Sequence, residues 1–333
     1  YIKRAFPGRF GTFLAGFFAV ALILALGFMG CMVQSNSIGE TCAAAFGVPS
    51  WSVGIVVAVL AAVVFLGGIQ RIAGVTEKLV PIMAALYLLG GLVVLVCRVR
   101  YLPEAVGMIF RYAFVPNAII GGSLGYALKM AVSQGVKRGL FSNEAGMGSA
   151  AIPAASAATD SPARQGYVNM TGVFFDTTVI CTVTGLCICA SGVLGTADAS
   201  GAQVNGVALT ALAFKTVLGP LGGLLVSLGI VLFAFSTILG WEFCGETAFA
   251  FLFGRRAIPL YRILFALAAF LGATQSLEVV WNLSDIFNAL MAVPNLISLL
   301  LLSGTAAREL EAFQPEIRRG RRLRQRRAVR RAL

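Results

Sequence analysis

A chain of 333 residues with 58% hydrophobic and 12% charged side chains departs from the soluble average of about 45–50% apolar and about 25% charged, which excludes a water-soluble globular domain. Histidine is absent, so His-based triads, His-containing zinc sites and His-ligated haem are excluded as well. The net charge of +12 would suggest nucleic acid, but more than half of it lies in a tail, where ten Arg between Arg308 and Leu333 face only Glu309, Glu311 and Glu316.

Between Phe10 and Gln70 the only ionisable acid or base is Glu40, and such a stretch is solvated by lipid. A helix needs about 20 apolar residues to cross the hydrocarbon core. On that measure eight spans are expected, at 10–33, 52–70, 80–97, 115–136, 167–194, 220–250, 260–279 and 283–304. Lys3, Arg4 and Arg9 lead directly into the first, which is too long for a signal-peptide core and reads as a true span in a chain cut at its front. The runs are continuously apolar, whereas a membrane β-strand alternates over about 10 residues, so the expected fold class is an all-α integral membrane protein. Segments 102–110 and 203–217 are expected to be short helices lying on the bundle.

Cytoplasmic loops carry the excess of Lys and Arg. With the start of the chain inside, the inner side receives Lys3, Arg4, Arg9, Arg71, Lys78, Lys137, Arg138, Arg164, Arg255, Arg256, Arg262 and the Arg tail, while Arg98, Arg100 and Arg111 fall outside. This asymmetry predicts eight crossings of the plasma membrane with both ends cytoplasmic. The chain divides into a transmembrane part, 1–305, and a basic tail, 306–333. Seven cysteines without a C-x-x-C pair read as small buried hydrophobes.

Polar residues and helix breakers at membrane depth are the candidate functional positions, because both are tolerated there only where they line a cavity or pack inside protein. Gln34, Ser35, Asn36 and Ser37 follow one another at the end of the first span; they face a central site or mark the water interface. In the fourth span Pro116 precedes Gly121, Gly122 and Gly125, either a broken helix whose free N–H groups hold an anionic group or close packing through small residues. Gly146-Met-Gly148 mimics a dinucleotide-binding loop, but no βαβ unit surrounds it. Asp176 is the only acid in its span, so it calls for a partner: a coupling cation, Thr177, Asn169 or a neighbouring helix. Ser236 and Thr237 offer oxygen to a dehydrated Na⁺, and Trp241, one turn on, would wall a small apolar side chain; helix-capping hydroxyls and an aromatic core residue are the alternative. Asn288 and Asn295, around Pro294, read as hydrogen bonding between helices. One lone acid without His or a second acid at its depth leaves no general acid/base pair, so no enzyme is expected.

The run Gly135-Val-Lys-Arg-Gly-Leu-Phe-Ser-Asn-Glu-Ala-Gly-Met-Gly-Ser-Ala150 is not generic membrane sequence. Together with Val173-Phe-Phe-Asp-Thr177, Phe233-Ala-Phe-Ser-Thr-Ile-Leu-Gly-Trp241 with Gly245-Glu246, Trp281-Asn-Leu-Ser-Asp285 and Met291-Ala-Val-Pro-Asn-Leu296, it resembles the alanine/glycine:cation symporter family (sodium:alanine symporters). Val33-Gln-Ser-Asn-Ser37 and Gly67-Gly-Ile-Gln-Arg-Ile-Ala73 resemble it too, so the likeness covers residues 1 to about 305 and leaves the Arg tail outside.

The resemblance implies an inverted-repeat bundle of the leucine-transporter type, with the eight spans as core helices three to ten and the first two expected upstream of Tyr1. It implies that Gly121, Gly122 and Gly125 break the sixth core helix and meet the substrate carboxylate, with Gln34 facing the same cavity. Thr237 and Trp241 join the substrate site. Ser236 and Thr237, with Asp176 as a further candidate, serve the cation, and Asn143 and Glu144 are gating or structural. The function implied is sodium-coupled symport of alanine or glycine by alternating access, with Na⁺, or alternatively H⁺, as coupling ion and no cofactor. A non-transporting or regulatory paralogue is the alternative, and an intramembrane enzyme is the third. The expected partners are a small neutral amino acid, the ion and membrane lipid, with no nucleic acid. The tail is expected at anionic head groups, worth about 1 kcal/mol per basic residue.

Overall fold

In a computed structural model, residues 1–114, 124–197, 201, 203–275 and 277–332 are described, with side chains outside 112–131, 277–279 and 316–332. Among these residues every regular element is helical, apart from a lone bridge between Ala197 and Gln203. We number the principal helices α1 Arg9–Phe46, α2 Ser50–Phe65, α3 Gly68–Cys97, α4 Leu102–Phe114, α5 Leu124–Asn143, α6 Pro162–Ser191, α7 Gly206–Leu218, α8 Pro220–Phe253, α9 Ile258–Thr274 and α10 Leu277–Ala332. Short turns at Ile2–Ala5 and Ala151–Ala155 complete them.

The core is built around α8. It packs against the second half of α1, against α3 and against α7, while α9 covers α1 and α2, and α10 lies on the first half of α1. Leu22, Leu26, Ile238, Leu239 and Phe265 are fully buried in the main cluster. A smaller cluster joins α3, α6, α7 and α8 through Tyr87, Val94, Cys187, Phe214 and Val226. Large apolar side chains also point outward; Leu300 is 75% and Leu221 71% exposed. In water that surface would aggregate, whereas hydrocarbon solvates it.

Among the described residues, six helical segments are long and apolar enough to span a bilayer: Arg9–Phe46, Gly68–Cys97, Pro162–Ser191, Pro220–Phe253, Arg255–Thr274 and Val280–Pro315. They correspond to the first, third, fifth, sixth, seventh and eighth expected spans. Helix α2, at 16 residues, rises about 24 Å and falls short of a full hydrocarbon core. The fourth expected span begins at 115–123, outside the described residues, and Gly121 and Gly122 fall there. Gly125 is in α5, but its surroundings are also outside the described residues. Segment 102–110 is helical, within α4; of segment 203–217 the helical part begins at Gly206, as α7, which packs on α3, α6 and α8.

Several expected span ends are corrected, each for a local reason. The first helix does not stop at residue 33. It runs to Phe46 because Ser35 and Asn36 find partners at the end of α9: the Ser35 hydroxyl donates to the Ala269 carbonyl, and Asn36 Nδ2 donates to the carbonyls of Gly272 and Gln275 at 3.3 and 2.7 Å. The last carbonyls of a helix lack intrahelical i+4 donors; of these Asn36 reaches that of Gly272, while Ser35 bonds Ala269 one turn earlier. The second helix ends at Phe65 rather than 70. Gly68, at φ 70°, turns the chain, and Arg71 Nη1 donates to the Val63 carbonyl at 2.9 Å to close α2. Helix α3 therefore starts at Gly68, not 80, and carries Pro81 inside it. Helix α9 ends at Thr274, where Gln275 adopts an extended conformation, and α10 continues past 304 through the 305/306 boundary.

Two helices contain π-helical turns, Ile23–Gly30 in α1 and Phe175–Cys181 in α6. Such turns insert an extra residue, redirect side chains and often accompany functional sites.

Candidate functional site

A cavity of about 470 Å³ opens between α1, α5, α6 and α8, and its walls include Gln34, Asn143, Glu144, Asp176, Thr237 and Trp241. Glu144, Thr237 and Trp241 also line a second cavity of about 540 Å³, facing Ile72 and Thr76 of α3. Substrate, cation and gating candidates chosen from four separate stretches of sequence thus converge on one place.

Trp241 is the best-anchored of them. It is 6% exposed, its ring meets the edge of Phe141 at 5.8 Å, and its Nε1–H donates to Glu144 Oε1 at 2.5 Å. The indole lies so close to α1 that a Cβ on Gly30 would sit 2.8 Å from the ring, so glycine at that position makes room for it.

Glu144 is held from both sides, since the Ser149 hydroxyl donates to its Oε2 at 2.5 Å. It is the only non-glycine residue at positive φ among those described, at 49°, in a turn where Gly146 and Gly148 have φ of 74° and 89°. A side chain in that region costs on the order of 1–3 kcal/mol and persists where the surroundings over-determine it. Here two short bonds to one carboxylate do so. The turn is also pinned from α10, where Asn295 Nδ2 donates to the Gly146 carbonyl at 2.9 Å and Asn295 Oδ1 accepts from the Tyr1 hydroxyl at 2.5 Å. Burial raises the Tyr1 phenol above its ordinary range, which keeps it a donor. The glycines read in the sequence as a false dinucleotide motif are therefore turn residues.

Asp176 lies in the π-helical turn of α6, and its partner is Ser142 of α5, whose hydroxyl donates to Oδ2 at 2.8 Å. Neither Thr177 nor Asn169, two of the partners considered, fills that role. The Thr177 hydroxyl donates to Asn143 Oδ1 at 2.5 Å, and Asn169 accepts from Gln165 at 3.0 Å. Asn143 Nδ2 closes onto the Gly139 carbonyl at 3.1 Å. Asp176 and Asn143 are thereby tied across the same pair of helices.

The hydroxyls of Ser236 and Thr237 both donate to the Phe233 carbonyl, at 2.8 and 2.9 Å. This leaves their lone pairs free to accept, but only Thr237 is among the cavity-lining residues. Of the polar run Gln34 to Ser37, only Gln34 lines the cavity; Ser37 donates to its own Val33 carbonyl at 2.9 Å. Asn288 and Asn295, expected to bond between helices, do not: Asn288 Nδ2 donates to Ser284 Oγ one turn back on α10 itself at 3.1 Å, and Asn295 bonds the Gly146 turn and Tyr1.

Sequence reasoning passed over Ser142, Ser149 and Phe141, which have no distinguishing pattern until the helices meet. It also missed Glu242, 1% exposed on α8. An acid inside an apolar run was the available signal, and it lay one residue beyond Trp241. The cavity is lined by carboxylates, an amide carbonyl and hydroxyl oxygen, a donor set suited to hard cations or an ammonium group.

Long lipid-facing helices around an oxygen-lined cavity define the class: a multi-pass membrane transporter. The chain belongs to the sodium:alanine symporter family, whose sequence model matches residues 1–327, and is accordingly a cation-coupled amino-acid transporter rather than an enzyme. The match extends beyond residue 305 into the basic tail. The sodium/alanine symporter AgcS of Methanococcus maripaludis is 46% identical over 96% of this chain and 69% of its own length. The amino-acid carrier protein AlsT of Bacillus subtilis is 33% identical over 96% and 66%. A probable sodium/glutamine symporter of the same organism, GlnT, is 34% identical over 96% and 65%. The chain thus spans about two thirds of the length of these relatives.

Proposed function

We propose that this chain forms the larger part of a sodium-coupled symporter for a small neutral amino acid, alanine or glycine, working by alternating access in an inverted-repeat bundle of the leucine-transporter type. The observation that carries the reading is the single cavity shared by Gln34, Asn143, Asp176, Thr237 and Trp241. Its volume falls in the range of about 300–1,000 Å³ usual for small-molecule sites. Trp241 limits the side-chain end, which favours a small substrate. Thr237 and Asp176 supply oxygen for Na⁺, with Ser236 beside them, and Asn143 and Glu144 hold the gate side. Gly121, Gly122 and Gly125 would meet the substrate carboxylate. No cofactor is needed: ion and substrate, by binding one occluded state together, shift the balance between outward-open and inward-open forms. The charge distribution supports a plasma-membrane orientation with both ends of the chain cytoplasmic and the tail at anionic head groups.

Alanine uptake by liposomes containing the protein tests this. Uptake should require an inward Na⁺ gradient and be competed by glycine more strongly than by glutamine. Equal uptake with and without the gradient would reject sodium coupling. A proton gradient in sodium-free buffer serves as the comparison arm for H⁺.

A further inference from the structure

One residue beyond Trp241, and outside the lining of this cavity, α8 carries a second polar cluster that the transport reading does not use. Glu242 is 1% exposed, and its Oε1 accepts no hydrogen bond. The nearest cation is Arg262 of α9, whose Nε lies 3.9 Å from that oxygen. Arg262 is already committed elsewhere, with Nε and Nη2 donating to the two oxygens of Glu246 at 2.7 and 3.3 Å. Two carboxylates therefore share one guanidinium, and a buried charge without a full partner is strongly unfavourable.

A second orphan points to the same place. The Tyr261 hydroxyl is completely buried and has no hydrogen-bond partner, and it lies within electrostatic reach of both Glu242 and Glu246. It sits at the crossing of α1, α8 and α9: a Cβ on Gly27 would lie 2.7 Å from it and one on Gly245 1.9 Å. Gly27 belongs to the π-helical turn of α1. The thiols of Cys31 and Cys244, from α1 and α8, complete the titratable groups facing the cluster. Glu246 and Arg262 keep 18% and 21% side-chain exposure, so the buried carboxylate communicates with the outside through them.

We propose that Glu242, with the Tyr261 hydroxyl beside it, is a site for one monovalent cation, a proton or Na⁺, separate from the Ser236/Thr237 position. A proton would add to the carboxylate oxygen from solvent and make it a donor. A sodium ion would bridge that oxygen and the phenolic oxygen. Either supplies the positive charge that Glu242 lacks.

The test is binding rather than uptake, so its outcome is independent of whether the transport reading holds. Infrared difference spectra of the purified chain in lipid nanodiscs would be recorded on pH jumps, in sodium-free buffer and in NaCl. A protonated-carboxyl band at neutral pH that is absent from Glu242→Gln identifies a proton as the occupant. The same band abolished by NaCl identifies a site that Na⁺ also takes. Glu246→Gln frees Arg262 to pair with Glu242, and the band should then disappear from a variant that elutes as a single folded species. An ionised Glu242 with no response to NaCl, or a band that persists in Glu246→Gln, would overturn the proposal.

Discussion

Trp241 and Glu144 show how one residue pair ties a loop to a cavity wall. The indole N–H and the Ser149 hydroxyl both donate to a carboxylate, and hydrogen bonds to charged groups contribute about 1.5–3 kcal/mol against about 1 kcal/mol for neutral ones. Glu144→Gln keeps the shape and removes the charge, and the amide can accept through only one of its two polar atoms. We therefore expect the indole to lose its fixed position: alanine uptake should fall at least several-fold in apparent affinity, with a changed Trp241 fluorescence, while helix content stays the same. Unaltered uptake kinetics would show that the pair does not position the wall. Trp241, Thr237, Asp176 and Gln34 were legible as single residues, because a polar or large aromatic side chain stands out in an apolar run. Ser142, the partner of Asp176, and Ser149, the partner of Glu144, were not, since small hydroxyl residues are common and become informative only opposite a carboxylate.

Helix type was legible from apolar runs, but helix ends were decided by what lay opposite them. Asn36 is the clearest case. Read in sequence, the polar run Gln34 to Ser37 marks an end; in the fold, Ser35 and Asn36 are buried at 0% and 1% exposure and complete the carboxyl end of α9. Asn36→Leu would remove the side-chain donor of the Gly272 and Gln275 carbonyls and leave Gly272 only the Gln275 N–H, at a cost of about 0.5–1.5 kcal/mol per hydrogen bond. The expected result is a lowered unfolding temperature in detergent and earlier amide exchange in the last turn of α9. Asn36→Asp should be at least as damaging, because it too lacks the donor. An unchanged unfolding temperature in both variants would show that water replaces the amide. The π-helical turns likewise escaped the reading of the chain, since Ile23–Gly30 and Phe175–Cys181 carry no residue pattern separating them from ordinary helix.

Across the molecule, a line of contacts runs from α10 to α8. Asp285 faces Lys137 and Arg138 at 3.9 and 3.5 Å, Arg138 lies over the Trp281 ring at 4.1 Å, Trp281 meets Phe141 at 5.1 Å, and Phe141 meets Trp241. The ion pairs are partly exposed and worth about 0–1 kcal/mol, and the cation–π contact adds about 0.5–1 kcal/mol at such a site. Arg138→Ala should therefore cost little stability, about 1 kcal/mol, yet loosen the stack behind Trp241. A cysteine introduced at Asn143 should then label faster with a water-soluble thiol reagent than in the parent chain. Equal labelling rates would show that the stack does not close the cavity. The sequence by itself determined that this is an all-helical membrane protein of a recognisable transporter family, because continuous apolar runs admit no other solvent and the signature stretches survive in order. Only the tertiary structure decided where helices end, which candidates share a cavity and that Glu242 is buried beside a single shared arginine. Those outcomes depend on partners more than a hundred residues away for Ser35 and Asn36, and on the crossing of three helices for Glu242, and neither kind of proximity is written in local composition.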